Sequence, residues 1–142
     1  MDEIKSGSHS LVVLHEAWNK YPPFRIPELS NEDMNLFNFA MTEIKYGRLP
    51  KAEKAFNQLL LKYYDNPVLL NNSGNINLLN DKIDQAIAKY NQALAQSPND
   101  CGIYLNMGMA CYKAKNHEKC EEYLGKAYAK AGSYSALRQL LD

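Results

Sequence analysis

Asn38, Asn72 and Asn106 stand 34 residues apart, and a carboxamide can both donate and accept hydrogen bonds. Set at one place in three successive helices, such groups form a row suited to holding the backbone of an extended partner. Other reactive combinations do not reach that regularity. Glycine-rich phosphate loops, H-E-x-x-H and G-x-S-x-G are absent. His15-Glu16 lacks a second ligand at helical spacing and reads as a surface pair. Cys111, His117 and Cys120 include metal-binding types, but the cysteines fall at core places of the repeat and the histidine at a turn. Asn71-Asn72-Ser73 matches a glycosylation acceptor yet lies inside a predicted helix. No catalytic residue, cofactor or metal is therefore predicted.

The surroundings of the asparagines recur in step with them, and a period of this size marks a solenoid of stacked two-helix units. The bulk numbers agree. The chain has 142 residues, 46% of them hydrophobic, so it can bury a core. Sixteen basic residues balance sixteen acidic ones, without the basic excess usual for nucleic-acid binding. The longest leucine run, Leu59-Leu60-Leu61, is far short of a membrane span, and residues 1–10 lack the apolar core of a secretory signal. Three cysteines, an odd number, argue for a reducing compartment. The expectation is a cytoplasmic protein that contacts neither nucleic acid nor membrane.

Leu11, Leu14, Trp18 and Tyr21 share a helical face, so residues 10–20 read as a short amphipathic helix. Pro22, Pro23 and Pro27 then force an extended path. Ser30 is an N-cap with Glu32 and Asp33 in the first turn. Beyond it, helix pairs are predicted over about 31–45 and 50–63, 67–79 and 82–96, and 102–113 and 117–130. Their tight turns lie at Tyr46-Gly47-Arg48-Leu49, Asn80-Asp81 and Lys115-Asn116. Ser133 caps a final helix carrying Leu137, Leu140 and Leu141, a lid for the last unit.

These units resemble the tetratricopeptide repeat, with its W-x2-L-G-x2-Y…A-x3-F…P pattern. The second unit carries Leu70, Ser73, Gly74 and Asn77, then Ala86, Tyr90, Ala93 and Pro98. The third carries Tyr104, Met107, Gly108 and Cys111, then Cys120, Leu124 and Ala127, with Gly132 in the proline place. The first carries Leu36, Phe39, Ala40 and Glu43, then Ala52, Phe56 and Leu59. Small residues let paired helices approach, while Tyr90 and Phe56 fill the wedge between units. Ser73 and Asn77 stand where apolar residues are usual, so a softer second core is expected. The resemblance implies an all-α, right-handed superhelix of three units. They are set at 33–66, 67–100 and 101–134, within a repeat region 30–132. An arm over 1–29 precedes that region and a capping helix over 133–142 follows it.

It also implies a concave face built from the first helix of each unit. There Asn38, Asn72 and Asn106 would hold a peptide backbone. Phe37, Met41, Asn75, Leu78, Leu105, Met109 and Tyr112 would line the groove, with helix packing as the alternative role for several of them. Methionine-rich apolar surfaces adapt to different ligands. The charged clamp with which related chaperone cofactors hold acidic tails is missing. Its places fall at Phe37, Met41, Asn72, Gly102 and Asn106, of which only Asn72 fits. Trp18 and Phe24 are assigned to capping the first unit. The other fate for their arm is occupation of its own groove or a neighbour's. The function expected is a non-catalytic adaptor or chaperone binding a peptide or helix of another protein. A self-assembly module making homo-oligomers and a secretion-type chaperone for an apolar partner stand as the alternatives.

Overall fold

A computed structural model describes residues 29–131. Six helices follow one another: α1 (Asn31–Lys45), α2 (Leu49–Lys62), α3 (Pro67–Leu79), α4 (Ile83–Gln96), α5 (Cys101–Lys113) and α6 (His117–Ala131). The described residues contain no strand, and the fold is an all-α helical solenoid. The helix expected over 10–20, the proline-rich stretch, the caps expected at Trp18 and Phe24 and the lid expected after Ser133 lie outside the described residues.

Local chemistry sets the helix ends. Ser30 Oγ accepts from the Asp33 N–H at 3.1 Å, and Asn66 Oδ1 from that of Leu69 at 3.1 Å. Asp100 Oδ1 accepts from both Gly102 (2.9 Å) and Ile103 (3.3 Å). That double cap makes Cys101 the first helical residue, one earlier than its sequence suggests. Helix α2 likewise starts at Leu49, with Pro50 tolerated in the first turn, and α4 starts at Ile83, Lys82 being its cap.

The turn inside each pair is the same hydrogen-bonded device three times. Gly47, Asp81 and Lys115 adopt φ of 75°, 60° and 62°. Their N–H groups donate to Ile44, Leu78 and Tyr112 carbonyls at 3.0, 3.1 and 2.9 Å. The next N–H of each turn, from Arg48, Lys82 or Asn116, reaches five residues back to Glu43, Asn77 or Cys111 at 2.8, 2.8 and 2.9 Å. This is the Schellman closure, which satisfies orphan carbonyls at a helix end. Only the first turn uses glycine for the left-handed residue, the position it suits best.

Packing follows chain order: α1 on α2, α2 on α3, α3 on α4, α4 on α5 and α5 on α6, with α3 also touching α5. The first core joins Phe37, Ala40, Ile44, Ala52, Phe56 and Leu59 to Val68, Leu69 and Ile76 of α3. The second joins Leu70, Leu78, Ala86, Tyr90 and Ala93 to Ile103, Met107, Cys111 and Cys120. Complete burial of one such large side chain contributes about 1.5–3 kcal/mol. Close approach depends on missing side chains. A Cβ on Gly74 would stand 2.7 Å from the Tyr90 ring, and one on Gly108 2.7 Å from Leu124 Cδ2. Glycine and bulky partner are thus complementary within each pair, so Tyr90 packs on Gly74 of its own unit as well as in the wedge between units that its sequence place suggests.

Candidate functional site

The first helices of the three pairs, α1, α3 and α5, bring two of the periodic amides, Asn72 and Asn106, into one connected row with Asn71 and Met41. Asn106 Nδ2 on α5 donates to Asn71 Oδ1 on α3 at 2.8 Å. Asn71 Nδ2 donates to the neighbouring Asn72 Oδ1 at 3.4 Å. Asn72 Nδ2 then reaches Met41 Sδ on α1 at 3.3 Å. All three amides are fully buried, and none lacks a partner, as buried polar groups require. Asn71 is the joint of this row, a groove-facing place in the sequence but not one of the periodic amides. Its place beside Asn72 gave no periodic signal, because it answers Asn106 across 35 positions instead of 34.

The ten residues selected from sequence do not share one environment. Asn72, Asn75 and Asn106 are fully buried, and Phe37, Met41, Leu78 and Leu105 are also buried. Met109 is half-buried, Asn38 is exposed and Tyr112 is 56% exposed. Phe37 meets Phe56 edge-on with ring centroids 6.2 Å apart, so it contributes to the first core. Asn75 Oδ1 accepts the Tyr90 hydroxyl, and burial pushes that phenol well above its ordinary range. Tyr112 packs against the His117 ring at 5.8 Å.

Two polar departures in α3 have different fates. Ser73 Oγ accepts from Lys89 Nζ at 2.6 Å, and burial lowers the Lys89 pKa. The buried Asn77 Nδ2 has no acceptor among the described residues, a loss of about 1–3 kcal/mol for such a group. Cys111 and Cys120 are both buried in the second core, and burial raises the Cys111 pKa, away from the reactive thiolate. Among the described residues no group of three or more His, Cys, Asp and Glu side chains could hold a metal.

Ion pairs fix the first pair from outside the row. Arg48 Nε and Nη2 donate to Glu43 Oε2 and Oε1 at 2.7 and 3.0 Å, a bidentate clasp across the α1–α2 turn. It lowers the Glu43 pKa. Asp33 accepts from Lys62 Nζ at 2.8 Å and from the Tyr63 hydroxyl at 2.7 Å, which lowers its pKa, Lys62 acting most.

Paired helices, three equal turns and glycines facing large side chains are all on display, and the family model described as TPR repeat matches residues 74–114. Residues 74–114 are thus similar to a tetratricopeptide repeat, and the six described helices are consistent with such repeats. The match runs from Gly74 in α3 to the end of α5, across the α4 helix between them. No curated protein sequence matches the chain. Tetratricopeptide repeats are in general protein–protein interaction modules without catalytic activity, and no described helix is long and apolar enough to cross a membrane.

Proposed function

We propose that this tetratricopeptide chain is a non-catalytic adaptor or chaperone. Its concave face takes an apolar helical or extended segment of another protein. The observation that carries this reading is the strip running across α1, α3 and α5. Met41, Val68, Leu78 and Leu105 are buried apolar side chains on successive first helices, Val68 and Leu78 being shared with the two cores, and the strip ends at the half-buried Met109 and the exposed Tyr112. Phe37 joins the strip at its first-core end. Beneath it, the Asn106–Asn71–Asn72–Met41 row sets the spacing of the three helices. Asn72, Asn75 and Asn106 act in this reading as the floor of the groove. Asn38, whose side chain is exposed, is the periodic amide open to a partner backbone. Lys113 stands at the rim, its Nζ donating to the Leu78 carbonyl at 3.4 Å.

The test is site-specific photocrosslinking from Tyr112→p-benzoylphenylalanine in the full chain, compared with Tyr64→p-benzoylphenylalanine. Tyr64 is 76% exposed in the α2–α3 turn, away from the strip. A defined protein captured at Tyr112 and absent at Tyr64 is the expected result. Capture of the same protein at Tyr64 alone moves binding off the concave face and sinks the reading.

A further inference from the structure

Lys89 is a cation set among neutral side chains. It sits midway along α4, half-buried, and its Nζ donates to Ser73 Oγ on α3 at 2.6 Å. An ammonium carries three N–H groups and bonds most strongly to a carboxylate. Lys89 nevertheless enters none of the ion pairs found among the described residues. The composition of the surrounding helices gives the reason. Helix α3 holds no charged residue. On α4 the other charge is Asp84, five positions earlier and so on a different face. On α5 the one charge is Lys113, which stands 3.8 Å from Asp81. Helix α2 carries Lys51, Glu53, Lys54 and Lys62, of which Glu53 acts on Lys89 without closing an ion pair.

The paired lysines behave oppositely. Lys62 and Lys119 lie 2.8 and 3.0 Å from Asp33 and Glu122, and those carboxylates raise their pKa values. For Lys89 burial outweighs the attraction of Glu53, and its pKa falls. A desolvated lysine keeps more of its amine uncharged near neutral pH, and the uncharged amine is the nucleophile.

We propose that Lys89 is an acylation site, accepting the acyl group of a small thioester at the joint between the first two helix pairs. The free amine attacks the thioester carbonyl, so a C–N bond forms and the C–S bond breaks. The thiolate departs, and the proton shed by nitrogen passes to it or to water. The product is an uncharged amide that keeps one N–H for Ser73 Oγ. Burial thus favours both the reactive amine and the product, an advantage that the exposed, paired lysines lack. Acylation also removes the cation facing Glu53, so the α2–α4 joint changes charge when the site is filled.

The test is acetylation of the full chain by S-acetyl-N-acetylcysteamine, with each lysine followed by peptide mass spectrometry. Exposed Lys115 is the reference. For each site the rate at about pH 8 is divided by its own rate at about pH 10.5, which cancels differences in access. The ratio for Lys89 should exceed that for Lys115 several-fold in the folded chain, and the two should converge in urea. Equal ratios in the folded chain, a difference that persists in urea, or no acetyl group at Lys89 would each overturn the proposal. Glu53→Gln removes the charge that favours the ammonium, so it should raise the Lys89 ratio further and leave Lys115 unchanged. A Lys89 ratio that fails to rise in that variant also counts against the site.

Discussion

Asn106 on α5 is fully buried and donates to Asn71, whereas Asn38, at the equivalent place on α1, is exposed. Asn72 behaves like Asn106. The difference follows from direction: each buried amide reaches back to the preceding first helix, from α5 to α3 and from α3 to α1. Among the described residues no helix precedes α1 for Asn38 to reach. The same repeat position therefore produces a structural group inside the array and an available one at its end. An even period specifies where a side chain sits relative to its own helix, while its neighbours decide whether it meets protein or water.

The largest effect should come from breaking that contrast. Asn106→Ala removes a fully buried amide and its hydrogen bond to Asn71 Oδ1 and is expected to cost about 1–3 kcal/mol, while Asn38→Ala stays within about 0.5 kcal/mol. Urea denaturation of both variants measures this, and equal midpoints would show that the row carries no stability.

Glycines sharpen the comparison in the same way. Gly74→Ala drives a Cβ into the rigid, buried Tyr90 ring and should destabilise by about 1–2 kcal/mol after helix propensity is credited. Gly108→Ala meets the flexible, half-buried Leu124 instead and should be closer to neutral. Gly125 has open space around it, so Gly125→Ala should gain up to about 1 kcal/mol. Thermal midpoints should rank the three as Gly125→Ala highest and Gly74→Ala lowest. Any other order breaks the packing account.

Smaller again is the turn series. Lys115 holds a left-handed conformation that costs an L-residue about 1–2 kcal/mol, and glycine's extra chain entropy returns part of any relief. Lys115→Gly is expected to stabilise by up to about 1 kcal/mol, and Gly47→Ala to destabilise by a similar amount. Unchanged unfolding midpoints for both would remove the strain argument.

The smallest effect is acid sensitivity of the first pair. Glu43 and Asp33 have pKa values lowered by Arg48 and Lys62. Depressed carboxylates stabilise above their unfolded values, about pH 4, and that contribution is lost as pH falls through the lowered folded values. The melting difference between wild type and Glu43→Gln should therefore narrow below about pH 4. A gap that is independent of pH would mean that the clasp acts through packing alone.

The sequence by itself determined the architecture. The period of 34, the Ser30 cap, and the small residues Gly74 and Gly108 are local or strictly repeated signals, while their bulky partners Tyr90 and Leu124 came from the packing. Helix ends were legible to within a residue because caps and turns are written in neighbouring side chains. Asp100 shifted one of them by binding two N–H groups at once. The tertiary structure alone decided the environment of the site. It drew Phe37 into the first core, joined Asn71 to Asn106 off the period, buried Asn72 and Asn75, and left Asn38 and Tyr112 at the open ends. Burial is a property of what packs alongside. In a solenoid, that neighbour lies a whole repeat away in the chain, beyond the reach of any local pattern.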